Sequence, residues 1–345
     1  EPGLLEVVTG GAAPARFTTV SGQAHRVAVR RPRRDDVLLR YGAVAGAVHE
    51  TRVSLATPAR PPVEVRGVDS LYVVGDTHGD FDALLTGLRR AGLVDDAGGW
   101  TGGHRHLVFA GDLTDRGPDV LKLLWFVYRL EQDAARAGGR VHVVLGNHET
   151  MVIMGDLRYV HVKEATIAEL HGVPYDALMD IRHTVLGRWL AAKPGAIRVD
   201  RALIAHGGVA PELAELTLRG IDRLLARYMA EDAFYQRAPA AAAGRDSLAY
   251  QARQNFFTHP RSLFWHRDYV QSDTAGAELQ DVLRRTRSDV HVVGHTAVPF
   301  IQARYDDRLI AAHTPRFGAE LLLLVRERNG LRRFRIVDDG PPQQF

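Results

Sequence analysis

Between positions 70 and 150 short apolar runs alternate with stretches of helical periodicity, and each apolar run ends abruptly in glycine and a polar residue. Leu71-Tyr72-Val73-Val74, Leu107-Val108-Phe109-Ala110 and Val141-His142-Val143-Val144-Leu145 have the length and aliphatic content of strands buried on both faces. Phe81, Leu84, Leu85 and Leu88 then recur at helical spacing after the first run. Val120, Leu123, Leu124, Val127 and Leu130 do so after the second, following Asp119, with Gly138-Gly139 as a stop. Strand, loop and helix, twice over, predict an α/β sheet with parallel strands. Residues 151 to about 190 read as mostly helical and interrupt that sheet. A strand follows at Ala202-Leu203-Ile204-Ala205, and helical segments run from Glu212 to Met229. Apolar runs at His291-Val292-Val293, Leu309-Ile310-Ala311-Ala312 and Leu321 to Val325, then Phe334-Arg335-Ile336-Val337, close the chain.

The first 66 residues have a different texture. Short β-like runs at Phe17-Thr18-Thr19-Val20, Arg26-Val27-Ala28-Val29 and Arg52-Val53-Ser54-Leu55 are separated by Gly and Pro, which predicts a small β-rich appendage over 1–66 and a main domain over 67–345. Arg30-Arg31-Pro32-Arg33-Arg34 runs straight into Asp35-Asp36 and reads as a solvated, self-paired turn rather than an anion patch. Ala240 to Ala243, after Pro239, reads as a loop or helix end without chemistry. No internal repeat is present.

Composition narrows the chemistry. With 46% hydrophobic and 25% charged residues, 345 residues suffice for a sizeable core without covalent staples. The absence of cysteine excludes disulfides, zinc-thiolate sites and thiol nucleophiles. Net charge is only +3 and the arginines are spread along the chain, so nucleic acid is not the expected partner. No apolar run approaches the roughly 20 residues of a membrane helix.

The polar residues that end the strands form a pattern of their own. Gly75-Asp76-Thr77-His78-Gly79-Asp80, Gly111-Asp112-Leu113-Thr114-Asp115-Arg116-Gly117 and Gly146-Asn147-His148-Glu149 follow the three runs. Ala205-His206-Gly207-Gly208 and Val293-Gly294-His295-Thr296 follow two later ones. Oxygen and imidazole donors without thiolate suit Mn, Fe or Zn. Asp76 and His78 are assigned to one metal ion, Asn147, His206 and His295 to a second, and Asp112, with two oxygens, bridges them. Such pairs sit about 3.5 to 4 Å apart and turn a shared water into hydroxide near neutral pH. A phosphoryl substrate explains the remainder. Arg116 offers a planar fork for two phosphate oxygens, with Arg267 as a second arginine. His148 is placed to protonate the leaving oxygen, and Asp115 to orient that imidazole and raise its pKa. Each feature has a plainer reading taken singly: Asp-x-His as a surface turn, His206 and His295 as core or capping histidines, Asp115 as a helix cap, Arg116 as a turn arginine, Arg267 as an ion pair with Asp268. The order of all five loops favours the site.

The set GDTHG, GDLTDRG, GNHE, a later HGG and a final GHT resembles the phosphoprotein phosphatase family of calcineurin-like metallophosphoesterases, over about residues 70 to 315. Leu145 precedes GNHE where the familiar eukaryotic serine/threonine phosphatases carry arginine. Met154-Gly155-Asp156-Leu157-Arg158-Tyr159-Val160 and Trp265-His266-Arg267 are similar to the bacterial-type Shewanella-like phosphatases. The resemblance implies a central β-sandwich of mixed sheets flanked by helices, with a helical insertion at about 151–190. It also implies two metal ions per chain and hydrolysis of a phosphorylated protein or peptide by in-line attack of the metal-bridging hydroxide. Specificity for phosphotyrosine or for phosphoserine and phosphothreonine would depend on pocket depth, set by the insertion and by the loop near His313. In that loop an acidic or small residue is expected, so His313 is a departure that lines the pocket or adds a donor. A chain that begins at Glu1 and resembles often-exported bacterial proteins is expected to be periplasmic or secreted, with the cytoplasm as the alternative. The competing readings are a nucleotide or diadenosine polyphosphate hydrolase and a non-catalytic scaffold with a vestigial metal site.

Overall fold

The computed structural model describes residues 3–8, 10–18, 24–30, 36–43, 48–54, 56, 58–231, 248–328 and 330–345. Thr19, Val20, Leu55, the run Arg31 to Asp35 and the stretch Pro239 to Ala243 lie outside the described residues.

Five strands come first: β1 (Gly3–Val8), β2 (Gly10–Thr18), β3 (Ala24–Arg30), β4 (Asp36–Ala43) and β5 (Val48–Ser54). Among the described residues they pair as β1-β4-β5 and β2-β3, with no pairing to the other strands. The rest of the chain forms two six-stranded mixed sheets. β6 (Glu64–Val65), β7 (Ser70–Val74), β8 (His106–Phe109) and β9 (Arg140–Val143) are followed by β10 (Ala196–Val199), β11 (Ala202–Ala205), β12 (Val290–Val293), β13 (Gln302–Arg304) and β14 (Leu309–Ala311). β15 (Leu321–Glu327), β16 (Gly330–Ile336) and β17 (Gln343–Gln344) complete them. One sheet runs β17-β16-β15-β7-β8-β9 and the other β13-β14-β12-β11-β10-β6. The expected parallel pairing of β7, β8 and β9 is present, and β11, β12 and β14 form a second parallel trio. Pairing of β6 with β10 brings residues 64–65 into the second sheet, so strand pairing changes partners before position 66.

Helices cover the sheets: α1 (Phe81–Arg90), α2 (Val120–Arg136), α3 (Asn147–Ile153), α4 (Val162–Leu170), α5 (Val185–Ala191), α6 (Pro211–Ala214), α7 (Leu218–Ala230), α8 (Leu248–Thr258), α9 (Asp268–Gln271) and α10 (Gly276–Thr286). The predicted stripes face the core, with Phe81 and Leu85 of α1 only partly buried. Leu84 and Leu88 of α1, and Val120, Leu123, Leu124, Val127 and Leu130 of α2, join Val73, Val108, Phe109, Leu203, Ile204 and Val292 of both sheets in one core. Each such side chain contributes about 1.5 to 3 kcal/mol by leaving water. That core fixes the two parallel trios against each other, and their six carboxyl ends open on one side of the molecule.

Candidate metal centre and active site

Most predicted site residues follow these strand ends: Asp76 and His78 after β7, Asp112, Asp115 and Arg116 after β8, Asn147 and His148 in the first turn of α3 after β9, His206 after β11 and His295 after β12, whereas Arg267 immediately precedes α9. The loop after β8 is shaped by Glu149, whose buried carboxylate collects the N–H groups of Asp112 (2.9 Å), Leu113 (2.7 Å), Thr114 (3.0 Å) and Gly146 (2.7 Å), together with the Thr114 hydroxyl (3.0 Å). Sequence reasoning gave Glu149 no role, although its place three residues after Gly146 at a helix start is the spacing of a capping glutamate. Gly146 is required there, because a Cβ would lie 2.1 Å from Asp112 Oδ1. His78, Asp112, Asp115, Arg116 and His295 all adopt left-handed backbone angles, with φ between 45° and 67°. Non-glycine residues hold that conformation only where the surroundings impose it, and such strain concentrates at functional sites.

In His78 and His206 a hydrogen bond at Nδ1 aims Nε2 inward. His78 Nδ1 lies 3.0 Å from the Thr114 carbonyl, and His206 Nδ1 lies 2.9 Å from that of Ala110, so each donates there and presents the lone pair of Nε2. His206 Nε2 then sits 2.9 Å from Asn147 Oδ1, 3.2 Å from His295 Nδ1 and 3.2 Å from Asp112 Oδ2. His78 Nε2 is 3.7 Å from both Asp76 Oδ2 and Asp112 Oδ2. Asp76 Oδ1 accepts from the His295 N–H at 2.9 Å, which ties the two sheets together across the site.

This cluster suits cations. Ligating atoms of His78, Asp112 and His148 lie within 4.8 Å of one another, as do those of Asp112, His206 and His295, so Asp112 belongs to both groups. Buried His78 Nε2 and His295 Nε2 have no hydrogen-bond partner. Burial lowers the pKa of His78 to about 4, of His295 to about 2 and of His313 to about 3, which leaves all three neutral at pH 7. Burial also raises Asp76 to about 7. For His206, burial opposes the charged form but the Asp112 and Asp76 carboxylates outweigh it and lift the ring to about 9. Carboxylates and imidazoles packed this tightly compete for protons, a conflict that bound cations relieve. The donors present fit two metal ions.

Beside the cluster, His148 Nδ1 is 2.7 Å from Asp115 Oδ2 and its Nε2 is 3.1 Å from Arg116 Nη2. Burial opposes protonation of His148, yet Asp112 and the bond to Asp115 leave its pKa raised. Asp115 therefore faces this ring instead of capping α2, whose cap position is Asp119. Arg267 is half-buried and donates to the His295 carbonyl (3.2 Å) and the Thr296 hydroxyl (3.4 Å), while Asp268 pairs with Arg261 at 3.5 Å. Arg158 is clamped by Asp156 at 2.8 Å and turned to solvent. Tyr159, from the helical insertion, accepts the Arg116 N–H on its carbonyl at 2.8 Å, and its ring, 44% exposed, lies 5.2 Å from that of His148.

Residues 70–299 match the calcineurin-like phosphoesterase family model. Shewanella-like protein phosphatase 2 of Arabidopsis thaliana is 44% identical over 95 residues, covering 28% of this chain and 24% of that protein. A symmetrical bis(5'-nucleosyl)-tetraphosphatase of Vibrio cholerae is 33% identical over 150 residues, 43% of this chain and 48% of that one. The aligned segments thus span from about a quarter to about half of these two curated relatives. The crystal structure of a cold-active protein-tyrosine phosphatase from a psychrophilic Shewanella species superposes with a TM-score of 0.75 at 30% identity, covering 96% of this chain and 98% of that one. By its matched domain, its aligned relatives and its backbone, the chain belongs to the calcineurin-like phosphoesterase family, in the phosphoprotein phosphatase branch with the Shewanella-like proteins.

Proposed function

We propose that this protein is a dinuclear-metal-dependent protein phosphatase. The observation that carries the reading is Asp112 shared between two groups of ligating atoms, one with His78 and His148 and one with His206 and His295, with Asp76 Oδ2 3.7 Å from His78 Nε2 and Asp115 bonded to His148. Asp76, His78 and Asp112 would hold one ion, and Asp112, Asn147, His206 and His295 the other; manganese, iron and zinc all suit this donor set. The chemistry such a pair supplies is Lewis acidity toward phosphate oxygens and toward water. The chain's own residues do the rest. Arg116 leaves His148 Nε2 to grip the phosphate, and Arg267 meets it from the His295 side. Released from Arg116, His148 gives a proton from Nε2 to the departing oxygen while Asp115 holds the ring by Nδ1. Two aromatic rings flank the centre: Tyr159 beside His148, and Trp265 with its ring 5.5 Å from His295. Aromatic walls on both sides favour an aryl phosphate, so phosphotyrosine is placed ahead of phosphoserine and phosphothreonine.

The test is phosphate release from phosphotyrosine, phosphoserine and phosphothreonine peptides, and from diadenosine tetraphosphate, by metal-stripped protein resupplied with Mn, Zn or Fe. Metal-dependent turnover of the phosphotyrosine peptide is expected. Cleavage of the dinucleotide alone would promote the second reading, which rests on the Vibrio alignment. Two bound ions with no turnover of any substrate would favour the scaffold.

A further inference from the structure

The loop after β14 carries a buried imidazole that the assignment of six ligand residues leaves unused. Ala312 and His313 press against the Asp76 loop because residue 75 has no side chain: a Cβ there would lie 2.2 Å from the Ala312 carbonyl oxygen and 3.0 Å from His313 Cα. The other side of the loop is pinned by the Ala312 N–H donating to Val293 (2.8 Å) and by the Val298 N–H donating to the His313 carbonyl (2.9 Å). His313 is only 5% exposed, and its Nδ1 lies 3.3 Å from Asp76 Oδ2. Despite that distance the two atoms are not aligned as a hydrogen bond, and Nδ1 has no other partner. His78 Nε2, also unpartnered, approaches the same carboxylate oxygen at 3.7 Å from a ring set edge-on to that of His313.

Two imidazole nitrogens that flank one carboxylate oxygen without bonding to it have the arrangement of ligands around an ion. Donors about 2.1 Å from a common metal are about 3.0 Å apart at a right angle and about 3.4 Å apart at a tetrahedral angle. The 3.3 Å between His313 and Asp76 falls between these values, and the 3.7 Å between His78 and Asp76 lies a few tenths of an ångström beyond the wider one. A structural role leaves a buried ring nitrogen unsatisfied at a cost of about 1 to 3 kcal/mol, and packing against Phe317 does nothing to offset it. We infer that His313 Nδ1 is a further ligand of the ion held by Asp76, His78 and Asp112. It raises the protein donors at that position from three to four, equal to the neighbouring position with Asp112, Asn147, His206 and His295.

The inference rests on the dinuclear reading, and one experiment separates the two. The full chain, stripped of metal and carrying isotope-labelled histidine, is loaded with cobalt(II), and the rings showing the contact shifts of direct coordination are counted by NMR. Four rings are expected: His78, His206, His295 and His313. Two bound ions with only three such rings overturn the role of His313 and leave the phosphatase reading standing. Failure of the wild-type chain to bind cobalt or zinc overturns the dinuclear reading itself. Calorimetric zinc titration of His313→Ala and His313→Gln supplies the second readout. One of the two ions should bind at least about 10-fold more weakly while the other keeps its affinity. Wild-type affinity at both positions in a folded variant would refute the assignment.

Discussion

At the residue scale, the metal-binding role proposed for Asp112 and the acid role proposed for His148 can be separated by substitution. Asp112 Oδ2 faces His78, His206 and His148 at 3.7, 3.2 and 3.9 Å, so it is placed to serve both ions. Asp112→Asn should reduce the content of both metals and lower turnover by more than about 100-fold, beyond what loss of an outer hydrogen bond does. Metal analysis and phosphate release check it, and normal content with a normal rate would refute the bridging role. His148→Ala should keep both ions and slow phosphoserine hydrolysis by about 10² to 10⁴, with a smaller loss on nitrophenyl phosphate, whose leaving group needs no proton. Equal losses on the two substrates would count against the acid. The sequence singles out Asp112 because it is the first ligand-capable side chain after a buried strand, and His148 because it directly follows Asn147, which holds the same place after the next one. The conformations that make them converge were not legible in it. Nothing in the sequence around His78, Asp112 or His295 announces a left-handed backbone. The five donors on Glu149 come from segments more than 30 positions apart in the chain, apart from Gly146.

At the scale of elements, the helical insertion is joined to the start of α2 by a buried acid. Glu164 of α4 is 1% exposed and accepts from the Leu121 N–H at the start of α2 at 3.4 Å. Burial pushes its pKa up from 4.5 to about 7. The folded chain therefore binds a proton at this site more tightly than the unfolded chain does. Stability falls as pH rises from about 4.5 through 7 and stays lower above it. Glu164→Gln should raise stability at pH 8 by about 1 to 3 kcal/mol and flatten that stretch of the profile. Denaturant unfolding of both proteins at pH 5 and pH 8 measures it, and an unchanged difference between the two pH values would remove Glu164 from the account. α1 and α2 were readable from period because Leu84 and Leu88, and Val120, Leu123, Leu124, Val127 and Leu130, recur at helical spacing on buried faces, although α2 also buries Phe126, Tyr128 and Arg129. β6 was not, since two residues are too few to show alternation and its place comes from pairing with β10 across more than 130 positions.

At the scale of the whole molecule, the question is where the catalytic unit begins. We propose that it begins near residue 58, eight to nine residues before the change of texture in the sequence. Among the described residues, β1 to β5 share no strand pairing with the two large sheets, and Ser54 reaches α2 through Gln132 (2.9 Å) and Tyr128. The segment just after it is built into the catalytic core. Arg60 donates to the Ala191 carbonyl (2.7 Å) and to Asp222 (2.6 Å), Val63 is buried, and Glu64 accepts from Arg198 at 2.8 Å. The Arg198 side chain is 5% exposed, so loss of Glu64 leaves a guanidinium buried without its carboxylate, at about 3 to 5 kcal/mol. A chain shortened to 58–345 should therefore bind two ions, hydrolyse phosphopeptide and unfold within a few degrees of the full chain. A chain shortened to 67–345 lacks Arg60, Val63 and Glu64 together and should lose most of its stability, which for a domain totals only about 5 to 15 kcal/mol. Parallel thermal melts and metal analyses of the three lengths decide the matter. Collapse of the 58–345 chain would make the N-terminal strands part of the catalytic fold, and full stability of the 67–345 chain would return the boundary to position 66.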